Sequence, residues 1–137
     1  MTEVRQLHDR ILVGGQIAPE AVAGLAGQGV TMIVNNRPDG EEPGQPLAAE
    51  IEAAAEAAGI GYRFVPIVRG IGPADVEAMQ DAIGGAGEGK LLAFCRSGMR
   101  SALACAIAVR NSGVSREEVE QRLVSAGFDP GPISHLL

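Results

Sequence analysis

Apolar positions along this chain fall into short blocks that alternate between two patterns. "RILVGG" (10–15), "VTMIVNN" (30–36), "IGYRFVPI" (60–67) and "LLAFC" (91–95) are compact apolar runs, β-branched or continuous, of the kind that form strands buried on both faces. Between them lie segments built to be helices. "PEAVAGLAGQG" has proline in its first turn and glycine past its end, "LAAEIEAAAEAAG" is made of strong helix formers and closes on glycine, and "PADVEAMQDAI" again opens on proline. "SALACAIAVRNSG" and "SREEVEQRLVSAG" predict two further helices, the second with Ser115 followed three residues later by Glu118, a capping box. "RPDGEEPGQP" and "GGAGEGK" read as connections, and the tail "FDPGPISHLL" is expected to dock on the body.

Strands that alternate with helices predict a single-domain α/β fold over residues 1–137. Its central sheet is mainly parallel, of about four or five strands, with helices on both faces and right-handed crossovers. Such sheets gather ligands beyond the carboxyl ends of their strands. The loops that begin at Asn35, Val68 and Cys95 would then share one edge and one candidate site.

Composition narrows the chemistry. A chain of 137 residues can bury a core as one domain, and 46% hydrophobic with only 3% aromatic residues predicts an aliphatic, alanine-rich interior. The formal net charge of −6, with no cluster of Lys and Arg, argues against a nucleic-acid partner. The N-terminus "MTEVRQLHD" lacks the apolar stretch of a secretory signal, and Arg96 and Arg100 interrupt the longest apolar region, so the expectation is a cytoplasmic protein without a membrane span. Two cysteines and two histidines, the histidines near the termini, offer little for a metal centre, and chemistry without metal or cofactor is expected.

The segment that carries chemistry is "FCRSGMRS". With a strand before it and a helix after it, residues 96–100 wrap so that the N–H groups of Arg96, Ser97, Gly98 and Met99 converge, forming an anion-binding nest at a helix N-terminus. Gly98 permits the tight wrap. Cys95 at the base becomes a candidate thiolate nucleophile, activated by the helix dipole and Arg100. Arg100 supplies a planar fork for an anion, and the Ser101 hydroxyl can cap the helix or hydrogen-bond the thiolate. Cys105, within the following apolar helix, reads as a core residue.

"CRSGMRS" resembles the active-site loop of single-domain rhodaneses, which carry sulfane sulfur as a cysteine persulfide. It is also similar to the phosphate loop of cysteine-dependent protein tyrosine and dual-specificity phosphatases. From "ILVGGQIAPE" through "NNRPDGEEPGQP" to "CRSGMRSALA" the chain resembles the beta-lactamase-hydrolase-like protein, phosphatase-like domain family, whose members are also labelled sulfur transferases. That resemblance implies a small protein-tyrosine-phosphatase-like α/β fold with the cysteine loop at the carboxyl edge of the sheet.

Two reactions compete. The phosphatase signature places five residues between cysteine and arginine, usually after a histidine; here there are four, and Phe94 precedes the cysteine. A shorter cradle offers one N–H fewer, which favours a single added sulfur over a phosphoryl group. A phosphatase also calls for a general acid. "VRGIG" contains none, Asp75 reads as a stabiliser of its helix N-terminus, and Asp39 in "RPDG" remains as the candidate acid or as a turn aspartate. Glu41 and Glu42 read as solvated. Asn35, Asn36 and Arg37 end a strand where they line the site or brace the cysteine loop, or where the Asn-Asn pair serves equally as a turn device, and Arg69 brings a second positive charge or lies in solvent. The leading expectation is sulfur transfer from a small anionic donor to a thiol acceptor through a Cys95 persulfide. Hydrolysis of a phosphorylated substrate through phosphocysteine is the alternative, and a non-catalytic phosphate- or sulfate-binding module the third reading.

Overall fold

The computed structural model describes residues 4–137; residues 1–3, the start of the charged N-terminal segment, lie outside the described residues. Five strands form one sheet: β1 (Val4–His8), β2 (Ile11–Gly14), β3 (Val30–Asn35), β4 (Gly61–Phe64) and β5 (Lys90–Phe94), in the order β1-β2-β5-β3-β4. β1 runs antiparallel to β2, and every other pairing is parallel. Helices α1 (Val22–Gly27), α2 (Ala48–Ala58), α3 (Pro73–Gly85), α4 (Met99–Asn111) and α5 (Arg116–Ser125) fill the connections.

Side-chain alternation on the central strands divides the core in two. Leu91 and Ala93 of β5 join Met32 and Val34 of β3 in a core with α3, α4 and α5, whereas Leu92 and Phe94 join Ile33 in one with α1 and α2. The expected α/β architecture with helices on both faces is therefore observed. A register irregularity between Val30 and Met32 leaves Thr31 exposed, its hydroxyl donating to the Ala86 carbonyl at 2.7 Å.

β1 went unrecognised in the sequence because "VRQLH" has no apolar alternation. Only Leu7 is buried, as suits an edge strand whose stability comes from its backbone ladder with β2. Arg5 reaches from this strand to the C-terminal region, donating to the Ala126 carbonyl at 2.7 Å and lying 5.8 Å from the centre of the Phe128 ring. The tail does dock: Ile133 is buried within a 3-10 helix (Gly131–Leu136), and Arg110 Nε donates to the Leu137 carbonyl.

Two boundaries moved. The first predicted helix splits into a 3-10 turn (Pro19–Ala21) and the short α1, and the predicted strand 60–67 keeps its ladder only over Gly61–Phe64. Beyond Phe64 the chain still follows β3, since Val65 N donates to Asn35 O at 2.8 Å and Ile67 N to Asn36 O at 3.0 Å. Pro66, which has no N–H, sits between them on the open side of this edge strand, where no ladder bond is lost. This extension brings the Ile67 carbonyl to the site.

Half of the predicted capping box forms on α5: Ser115 Oγ accepts from Glu118 N at 3.2 Å, while the Glu118 carboxylate turns to His8 and Arg122. Asp75 stabilises the start of α3 as expected, accepting from Gly72 N at 2.9 Å.

Candidate active site

β5 is the middle strand, so the loop that leaves it is held from both sides. Cys95 N donates to Gly14 O of β2 at 3.3 Å, and Asn36 N, just past β3, donates to Phe94 O at 2.8 Å. Gly98 turns the loop with φ +97°, a left-handed conformation that L side chains rarely adopt. Gly15 lets the loop pack against the end of β2, because a Cβ there would lie 2.9 Å from the Arg96 carbonyl oxygen. α4 begins at Met99, and the Gly98 N–H donates to Cys95 Sγ at 3.1 Å. Cys95 is 1% exposed and stands just before the first turn of the 13-residue helix α4.

Arg100 is fixed by three hydrogen bonds. Its Nη1 donates to Glu41 Oε2 and to the Ile67 carbonyl, and its Nη2 to Glu41 Oε1, each at 2.8 Å. A guanidinium has five N–H groups in a rigid plane, so these contacts occupy the end-on edge and one flank. The side-on pair, Nε–H and the second Nη2–H, is outside these three bonds, and Arg100 also interacts with Cys95. The charge of Cys95 acts on this arginine: Arg100 is held above its ordinary pKa first by the Glu41 hydrogen bond, against the effect of burial, and then by the thiolate charge.

Glu41 is positioned in turn by Arg37, which is 1% exposed and donates through Nε to Glu41 at 3.0 Å, through Nη2 to Glu42 at 2.9 Å and through Nη1 to Gln16 at 3.1 Å. Hydrogen bonding from Arg100 is the main cause that lowers the Glu41 carboxyl from the usual 4.5 to about 2. Burial opposes the shift, and Arg37 adds to it. Glu42 is lowered as well, first by its hydrogen bond from Arg37. The glutamates that the sequence left in solvent thus form an ionised bridge between two arginines.

Cys95, Arg96, Ser97, Gly98, Met99 and Arg100 lie together as the cysteine loop, with Arg96 and Ser97 exposed and Arg96 Nη2 3.6 Å from Glu42 Oε2. Other expected residues have different tasks. The Ser101 hydroxyl donates to Asn36 Oδ1 at 2.7 Å, which commits its single proton away from the thiol. Asn36 is 0% exposed and donates to Val65 O at 2.9 Å, so it pins α4 to the end of β3 and faces no substrate. Arg37 has a nitrogen on each of three partners and is a support for Glu41 and Glu42, not a substrate contact. Asp39 Oδ1 accepts from Ala48 N at 2.8 Å, an N-terminal contact for α2. Arg69 is exposed on the loop after Ile67. Cys105 is buried in α4, and burial, followed by the charge of Cys95, pushes its thiol up to about 12.

A mainly parallel sheet whose middle strand ends in a cysteine loop, with an arginine in the first turn of the next helix, defines a cysteine-loop domain of the phosphatase-like fold class. Tk-PTP in its active form shares this fold, with a TM-score of 0.72 at 18% identity over 97% of this chain and 92% of that one. The family model "Beta-lactamase hydrolase-like protein, phosphatase-like domain" matches residues 3–112, and the chain belongs to that family.

The beta-lactamase hydrolase-like protein of Xylella fastidiosa (strain Temecula1 / ATCC 700964) is 37% identical over 131 residues, covering 94% of this chain and 30% of that protein. The chain spans about 30% of the length of the curated relatives it matches. The nma1982 protein of Neisseria meningitidis z2491, provisionally assigned as a phosphatase, superposes with a TM-score of 0.79 at 31% identity over 96% of this chain and 93% of that one. Among the described residues no helix is long and apolar enough to cross a membrane.

Proposed function

We propose that this domain hydrolyses phosphomonoesters through a phosphocysteine on Cys95. The observation that carries the reading is the paired geometry of the loop: Gly98 N–H on Cys95 Sγ at 3.1 Å, and a guanidinium fork on Arg100 set by Glu41 and Ile67 at 2.8 Å each. Likeness to a provisionally assigned phosphatase at 31% identity adds weight, and the reading displaces sulfur transfer as the first expectation.

In the first step the Cys95 thiolate attacks phosphorus as the ester oxygen departs, and the loop N–H groups with Arg100 stabilise the equatorial oxygens. Water then attacks the phosphocysteine, releasing phosphate and restoring the thiolate. Glu41, with a pKa of about 2, is ionised at neutral pH and does not donate a proton to the leaving group. Asp39 is engaged at α2. Aryl esters, whose leaving groups need little protonation, are therefore the favoured substrates. Both cysteines are free, which suits a reducing, cytoplasmic compartment.

Sulfur transfer is retained as the second reading on one observation, the interval of four residues between Cys95 and Arg100. There the thiolate takes the outer sulfur of thiosulfate, sulfite departs without needing a proton, and a thiol acceptor or cyanide removes the sulfur. Incubation with 4-nitrophenyl phosphate and, separately, with thiosulfate distinguishes the two. Phosphate release that is lost in Cys95→Ser supports hydrolysis. A Cys95-dependent mass gain of one sulfur with no phosphate release overturns it, and anion binding with neither reaction assigns a binding module.

A further inference from the structure

Arg100 stands at one end of an apolar groove that the cysteine chemistry does not use. The groove has a volume of about 360 Å³ and runs between the loop at Ile67, Val68 and Ile71 and the C-terminal 3-10 helix at Ile133 and Leu136. That volume falls in the range of small-ligand sites, about 300–1,000 Å³. A second depression of about 460 Å³, between α3 and α4, shares Ile71 and Leu136 as walls and continues it away from the cysteine loop. Val68 is 73% exposed and Leu136 43%, so two large apolar side chains face solvent beside the anion clamp.

The groove and the clamp are mechanically joined. The Ile67 carbonyl accepts from Arg100 while the Ile67 side chain, 2% exposed, is part of the groove wall. Arg100 itself lines the groove, so a phosphate held by its guanidinium would have its ester substituent beside these apolar walls. Glu41 and Glu42 on the other side are paired with Arg37, Arg96 and Arg100, His135 lines the groove, and Glu77 lines the far depression. Beyond these groups the walls at Val68, Ile71, Leu103, Ile133 and Leu136 are apolar, which suits a ligand whose only charge is its phosphate.

We propose that the substrate is an amphiphilic phosphomonoester, an anionic head on Arg100 with an extended apolar tail in the groove of Val68, Ile71 and Leu136. The identity of the head rests on the hydrolase reading above; the tail site does not depend on turnover. Each methylene buried from water tightens binding about fourfold, so two or three suffice for about 30-fold.

The test uses Cys95→Ser, in which affinity is read without chemistry, and calorimetry with 4-ethylphenyl and 4-nonylphenyl phosphate below their aggregation thresholds. The nonyl compound should bind about 30-fold more tightly, and Val68→Asp or Leu136→Asp, both at exposed positions, should bring that ratio below about 5. Equal affinities, or a preference that survives both substitutions, overturn the proposal. So does equally tight binding of 4-nonylphenol, which would mean an apolar surface unconnected to the clamp, or a leucine-flanked tyrosine phosphopeptide that outcompetes the nonyl phosphate. Turnover of 4-nitrophenyl phosphate by the unmodified chain is scored separately, so that failure of the hydrolase reading and failure of the tail site are distinct results.

Discussion

Glu41 and Arg100, 59 residues apart in sequence, meet through two hydrogen bonds of 2.8 Å each, which occupy the end-on edge of the guanidinium. Arg37 holds Glu41 from the far side and the Ile67 carbonyl holds Nη1. The guanidinium is thus held in place by its neighbours, and under the proposed hydrolysis this preorganisation lowers the ordering cost when an anion binds.

Removing the charge of Glu41 should loosen the clamp. Glu41→Gln is expected to lower kcat/KM for 4-nitrophenyl phosphate about tenfold, and Arg100→Lys, which loses the fork, by about 100-fold or more. Steady-state kinetics on the two variants checks the order of these effects. A Glu41→Gln enzyme as active as the parent would remove the positioning role.

The same pair imposes a pH dependence on stability. Because the Glu41 pKa is lowered from 4.5 to about 2 in the folded state, its contribution is present above 4.5 and is lost as pH falls towards 2. Urea midpoints measured across that window should fall more steeply for the parent chain than for Glu41→Gln. The glutamate is near the surface, and added salt should shrink the difference.

Arg37 is the buried end of this network. Arg37→Met should destabilise the fold by about 2–3 kcal/mol, less than the ~3–5 of a fully buried broken pair, because Glu41 and Glu42 keep contact with water. Equilibrium unfolding gives the stability. A fall in kcat/KM for the folded variant would report the loss of Glu41 support for Arg100.

Gly15 is a steric test of the loop. A methyl group there would meet the Arg96 carbonyl oxygen at 2.9 Å, a backbone atom with little freedom to retreat. Gly15→Ala should cost about 1–3 kcal/mol and displace the cysteine loop, with activity falling in protein that remains folded by circular dichroism.

The two cysteines should separate cleanly in reactivity. Both cysteines are buried, but Cys105 is packed within α4 with its thiol pushed up to about 12, whereas Cys95, 1% exposed, lies at the start of the loop that Arg96 and Ser97 carry to the surface. Iodoacetamide at mildly alkaline pH should add a single group to the native chain, at Cys95, and a second only in denaturant. Intact-mass analysis with peptide mapping reads this directly, and native labelling of Cys105 would contradict the packing of α4.

Much of this protein was legible in one dimension. Four of the five strands, all five helices and the place of the cysteine loop between a strand and a helix follow from apolar blocks and turn residues, because these are consequences of local backbone preference and burial. β1 escaped because an edge strand needs little apolar signal, and its ladder is written in the backbone of β2. The supporting cast of the site was only partly visible: Asn36 and Arg37 could be read as bracing the cysteine loop, but nothing near Glu41 points to Arg100, and nothing near Ile67 marks its carbonyl as an arginine acceptor. Those partnerships exist because β5 is inserted between β2 and β3, so three strand ends converge on one loop. The sequence determined that a cysteine and an arginine would share a cradle. Tertiary structure decided how the arginine is aimed, and what lies beside it, because those depend on contacts whose cost and benefit arise only when distant segments pack.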